Sequence, residues 1–150
     1  MRGAALTVPE FVGAPVHEHD YSYKDTYSGI LGEPLKPIRW VGSSRRDLKT
    51  FPKTVRRHMG QALYAAQFGE EYPSVRALKG RAGRSVLEIV ARDVSGTYRA
   101  VYTVRFRDVI YVLHAFQKKS KKGIATPKME MDLIALRLAA AEKDYRDRQN

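Results

Sequence analysis

The segment Val109 to Lys118 constrains the architecture most, because from Val109 to Ala115 its side chains are predominantly apolar and scarcely alternate with polar ones. A strand of that composition suits a central position covered on both faces. The chain is therefore expected to place other elements on the two sides of a sheet that has this segment near its centre. The stretches before it do alternate. In Ser85 to Arg92, Leu87, Ile89 and Ala91 share one face, and Glu88, Val90 and Arg92 share the other. In Thr97 to Phe106, Tyr98, Ala100, Tyr102, Val104 and Phe106 oppose Arg99, Val101, Thr103 and Arg105. Ser95-Gly96 and Arg107-Asp108 read as turns, and a shorter strand at Val75 to Lys79 is ended by Gly80, so the run reads as consecutive antiparallel strands.

Helical spacing brackets this run. Ile38 to Val41 is a short strand, after which Ser43 and Ser44 can cap a helix with Asp47 in its first turn and Leu48 and Phe51 as apolar anchors. Pro52 opens a second helix, in which Val55, Met59, Leu63 and Ala66 recur at helical spacing until Gly69 ends it. Arg45, Arg46, Lys49, Lys53, Arg56 and Arg57 are expected on the exterior of this hairpin. Thr126 and Pro127 start a last helix carrying Leu133, Ile134, Leu136 and Leu138, expected to fray after Tyr145. The fold class is α+β: a curved antiparallel sheet packed against an N-terminal helical hairpin and a C-terminal helix.

Residues 1–35 have no sustained period of either kind and are expected to form a disordered extension, leaving residues 36–150 as one domain. Charge divides the chain at the same place. The extension carries two basic and five acidic side chains, a net −3, which leaves +14 on the remainder of a chain whose total is +11. Such an excess repels itself in a compact domain and persists most easily where an anionic partner binds. The chain has no Cys, which excludes thiol chemistry. Its apolar runs fall well short of the ~20 residues that span a bilayer, and its start lacks a signal-peptide stretch, so no membrane association and a cytoplasmic location are expected.

Three groups of side chains offer chemistry. Alternation puts Glu88 and Arg99 on one side of adjacent strands, where they can pair across the ladder, as a site or as an ordinary ion pair. Lys118, Lys119, Lys121 and Lys122 form a cationic cluster that suits phosphates, or simply a solvated loop. His114 lies in the apolar strand, as a base or as a satisfied core residue. The chain lacks a Gly-rich nucleotide loop, metal-ligand spacing and a strained serine elbow. Any chemistry is therefore expected to be acid–base and electrostatic, without metal or cofactor, which suits RNA with its own 2′-OH nucleophile.

Leu78-Lys79-Gly80, Leu87-Glu88-Ile89, Gly96-Thr97-Tyr98-Arg99-Ala100-Val101-Tyr102, the string from Tyr111 to Ser120 and Thr126-Pro127 occur in an order that resembles the RelE/ParE toxin superfamily. The likeness is greatest to its HigB-like, phage-derived Gp49-like branch, and it covers about Lys36 to Leu138. The resemblance implies the toxin of a type II toxin–antitoxin pair, an endoribonuclease that cuts mRNA on the ribosome and partners a HigA-like helix-turn-helix antitoxin. It implies catalytic roles for Arg99 and for Lys119. Where the best-studied branch has lysines on the preceding strand, this chain has Glu88 and Val90, which leaves Glu88 and His114 as candidates for the base. RNA contacts are expected from Lys79, Arg84, Arg92, Arg105, Lys118, Lys121 and Lys122. The rival functions are a ParE-like toxin that binds DNA gyrase without cutting RNA, and a noncatalytic nucleic-acid-binding domain.

If the lysine cluster holds RNA, replacing both Lys121 and Lys122 with Ala weakens binding. The dependence of log K on log salt then falls by about 0.7 for each lost single-strand phosphate contact. Binding titrations at several salt concentrations measure this, and an unchanged slope identifies a solvated loop.

Overall fold

A computed structural model describes residues 16–18, 35–80, 85–118 and 126–150 of the chain. The elements are β1 (Val16–Glu18), β2 (Ile38–Val41), α1 (Ser44–Lys49), α2 (Lys53–Gln67), β3 (Val75–Ala77), β4 (Val86–Asp93), β5 (Gly96–Thr103), β6 (Ile110–Lys118) and α3 (Lys128–Gln149). The strands make one sheet in the order β1-β2-β6-β5-β4-β3. The α+β class holds, and β6 lies in the interior of the sheet with Ile110 to Phe116 all buried, as its composition requires.

Each face of the sheet carries its own core. Trp40, Tyr98, Ala100, Tyr102 and Val112 pack with Leu48 of α1 and with Val55, Met59 and Leu63 of α2. On the opposite face Val41, Val101, Tyr111 and Leu113 pack with Ile134, Leu138 and Ala141 of α3. Among the described residues every strand–strand pairing is antiparallel except one, in which β2 runs parallel to β6 with Ile38 opposite Ile110 and Trp40 opposite Val112. The sheet is thus dominated by antiparallel pairing, as expected, with one parallel neighbour that local periodicity does not reveal. A parallel neighbour needs a long crossover, and here α1, α2 and strands β3 to β5 all lie between β2 and β6.

Four local expectations change for physical reasons. Arg45 is buried, not exterior, because α1 packs across β6 and its Ser44 Oγ donates to the Val112 carbonyl at 3.0 Å. Phe106 faces α3, meeting Tyr111 edge-on and Tyr145 at a tilt, since β5 ends at Thr103 and alternation ends with it. Helix α3 continues to Gln149 instead of fraying after Tyr145. Asp144 holds it down by accepting from Arg39 Nε at 3.0 Å and from the Tyr111 hydroxyl at 2.6 Å. Burial works against that carboxylate, but the Tyr111 hydrogen bond and the Arg39 charge outweigh it and keep its pKa below the usual value. Finally, Leu35 is buried and Val16–Glu18 pairs with β2, so packed structure reaches into the segment read as an extension. Residues 1–15 and 19–34 lie outside the described residues.

An irregularity in β6 sets which side chains reach α3. Val101 pairs with His114 whereas Tyr102 pairs with Val112, so Leu113 is an extra residue. Leu113 and His114 consequently both turn toward α3. The Leu113 carbonyl accepts a hydrogen bond from Arg137 Nη1 at 3.0 Å. The same nitrogen donates to His114 Nδ1 at 3.1 Å, and Nη2 donates to Ser43 Oγ at 2.8 Å. Gly42 makes room for this, with φ +58° and an imagined Cβ only 2.8 Å from Arg137 Nε.

Gly42→Ala is therefore expected to lower unfolding free energy by about 1–3 kcal/mol, through left-handed strain and displaced Arg137 hydrogen bonds. Urea denaturation measures the change. Unaltered stability would mean that Arg137 gives way without loss.

Candidate functional site

Register determines which charged side chains meet. Glu88 pairs with Arg76 on β3 and with Val101 on β5, and Arg99 stands opposite Val90. Paired residues share a face, so Arg76, Glu88, Arg92 and Arg99 all lie on the α3 side. Arg99 Nη1 donates to both Glu88 oxygens, at 2.9 and 3.0 Å, and lies 3.3 Å from Thr126 Oγ1 just before α3. Arg76 Nε is 3.5 Å from Glu88 Oε2. Glu88 and Arg99 are 2% and 3% exposed, so the guanidinium is not an open groove-facing group. It forms the floor of the site, locked to its carboxylate partner.

Lys118 completes the cluster from β6. Thr97 pairs with Lys118 and Arg99 with Phe116, which puts the lysine on the Arg99 face at the end of the strand. Partial loss of hydration lowers its pKa, and the Arg99 and Arg76 charges lower it further. Arg76 and Arg99 thus pair with a single carboxylate, and Arg92 and Lys118 lie on the same face toward the strand ends, which leaves a local cationic excess. Such a focus raises the local concentration of an anion, and its partly dehydrated lysine releases a proton more readily than an ordinary surface lysine.

The other candidates are arranged differently. His114 is on the same sheet face, but Arg137 donates to its Nδ1, which places the ring proton on Nε2, 3.3 Å from Glu130 Oε1. Burial lowers its pKa, outweighing the opposing pull of Glu130. The ring stacks on Phe116 with centroids 4.9 Å apart, and these contacts tie it to α3 rather than to the charge cluster. Arg105 lies beyond the other end of β5, where it pairs with Glu142 at 3.3 Å. Lys79 is exposed just past β3. Arg84, Lys119, Lys121 and Lys122 lie outside the described residues. Arg76 and Thr126 join the site although no motif marks them as site residues. Alternation within Val75 to Lys79 hints at Arg76, but only the pairing of Arg76 with Glu88 assigns it a partner.

A cleft of about 580 Å³ opens beside the pair, between the end of β3 and the first turns of α3. Glu88 and Thr126 belong to both the cleft and the charge cluster. Leu78, Met131, Ala135 and Leu138 give it an apolar interior, and Lys79 and Lys128 are among its lining residues.

A family model described as "Phage derived protein Gp49-like (DUF891)" matches residues 46–139, a span that runs from α1 through most of α3. No curated protein matches the chain.

Removing one member of a buried ion pair strands the other. Arg99→Ala is expected to lower stability by about 3–5 kcal/mol, whereas replacing both Glu88 and Arg99 with Met recovers most of it. Chemical denaturation of the two variants tests the coupling. Equal losses would mean that the pair contributes independently of its charge balance.

Proposed function

The chain belongs to the phage-derived Gp49-like family within the RelE/HigB-like toxins, and from that premise we propose that it is the toxin of a type II toxin–antitoxin pair that cleaves mRNA on the ribosome. The observation carrying the reading is the pairing of both Arg76 and Arg99 with the buried Glu88, with the positive charge of Lys118 acting on the same face. In the proposed reaction a ribose 2′-OH gives up its proton and its oxygen attacks the adjacent phosphorus. The P–O5′ bond breaks and the leaving oxygen is protonated, yielding a 2′,3′-cyclic phosphate and a 5′-hydroxyl end.

The additional negative charge on the phosphoryl oxygens in the transition state is matched by the cationic cluster. Arg99, oriented by Glu88 and Thr126, contributes the guanidinium, and Arg76 and Lys118 contribute further positive charge. Lys118, as the neutral amine that its lowered pKa makes more accessible, takes the 2′-OH proton, and Lys119, the position implied by the family likeness, gives a proton to the leaving 5′-oxygen. Glu88 holds Arg99, because its two oxygens are already engaged by guanidinium donors. His114 positions α3, because both ring nitrogens face α3 partners. A helix-turn-helix antitoxin of HigA-like type is the proposed partner, complementary in charge to the basic domain.

Arg99→Lys retains a cation beside Glu88 while losing the planar fork. It is expected to stay folded and to cleave about 10²–10³ more slowly. Primer extension on mRNA translated with the purified protein measures cleavage, and thermal unfolding checks the fold. Full-rate cleavage by the folded variant would remove the Arg99 guanidinium from the mechanism. No cleavage by the unmodified chain would favour the gyrase-binding alternative.

A further inference from the structure

The cleft beside the Glu88–Arg99 pair has a composition that the chemistry of cleavage does not use. Leu78, Met131, Ala135 and Leu138 give it apolar walls, while Arg76, Lys79 and Lys128 outnumber the carboxylates of Glu88 and Asp132 around them, Lys128 being paired with Asp132 at 2.6 Å. One end is closed by contact between the chain after β3 and α3. Gly80 has φ +123°, and a Cβ there would lie 2.8 Å from Met131 Cε. The volume falls within the ~300–1,000 Å³ range of small-molecule sites.

Apolar walls ringed by cations match a nucleotide, whose base is flat and apolar-faced and whose phosphates are anionic. The position of the cleft narrows the choice. Glu88 and Thr126, which both bond Arg99, also line the cleft, so it begins where the charge cluster ends. A phosphate held over that cluster therefore has its neighbouring nucleotide at the cleft mouth. We propose that the cleft takes one unstacked nucleobase of the RNA, the base flanking the bond to be cut. The proposal rests on the nuclease reading and adds to it a base-dependent contact separate from the phosphate contacts. Lys79, exposed at the mouth, holds the backbone beside that base.

The test uses the full chain and a labelled hexanucleotide whose 2′-hydroxyls are replaced by hydrogen so that it is not cut. Six further versions each lack one base. Fluorescence anisotropy at one salt concentration is expected to show about a tenfold loss of affinity when one particular base is missing, from the apolar contact of that base with the cleft walls, and little change at positions outside the cleft. Ala135→Leu fills the cleft from an exposed helix position without altering charge. It is expected to lose the same factor on the intact strand and to become insensitive to the missing base. Lys79→Ala weakens intact and base-deleted strands alike.

Equal affinity for all seven strands, undetectable binding, or full base sensitivity in folded Ala135→Leu would each overturn the proposal and leave the cleft to a protein partner. The two readings fail separately. Base-dependent binding without cleavage in the translating system would refute the nuclease and keep the cleft. Cleavage with base-independent binding would do the reverse.

Discussion

The extra residue in β6 is the constraint on which the arrangement of the α3 face depends. A regular strand would send Leu113 and His114 to opposite sides of the sheet. The shift between Val101 and Tyr102 sends both toward α3, and Arg137 takes up the Leu113 carbonyl. That one guanidinium joins the β6 irregularity, the His114 ring and Ser43 at the start of α1. Elements from both faces of the sheet are therefore held through a single side chain. The close approach at Gly42 follows from the same geometry, because the backbone there lies directly beneath Arg137.

With α3 anchored over β6 and β2 by Arg137 at its middle and Asp144 near its end, the strands on the other side of β5 are left to a different kind of packing. There the face carries charge. Glu88 and Arg99 are buried together, an arrangement that compensates the loss of hydration only while both partners remain. The nearby Arg76 and Lys118 add positive charge that the single carboxylate does not neutralise. The result is a rigid cationic floor beside an apolar cleft. Preorganised charge of this kind acts on a developing anion without first rearranging.

Much of this was legible in the chain. The apolar character of Val109 to Ala115 implied a covered strand, alternation put Glu88 and Arg99 on one face, and Pro52, Gly69 and Pro127 marked helix ends close to where they occur. Other features escaped because they depend on pairings distant in sequence. Arg76 has an unremarkable strand position until it is set against Glu88. Arg105 has the same alternation as Arg99 yet lies beyond the far end of β5, beside Glu142. Arg45 falls within a basic run but is buried where α1 crosses the sheet.

The sequence by itself determined the α+β class, the identity and order of the main elements, the two-sided burial of β6 and the excess of positive charge. Those properties reside in local periodicity and composition, which act over a few residues whatever the rest of the chain does. Only the tertiary structure decided that β2 runs parallel to β6, that His114 turns to α3, and that two guanidinium groups meet on one carboxylate beside an apolar cleft. Strand register, a single-residue irregularity and the seating of a helix set these, and each is chosen by the combined packing of segments far apart in the chain.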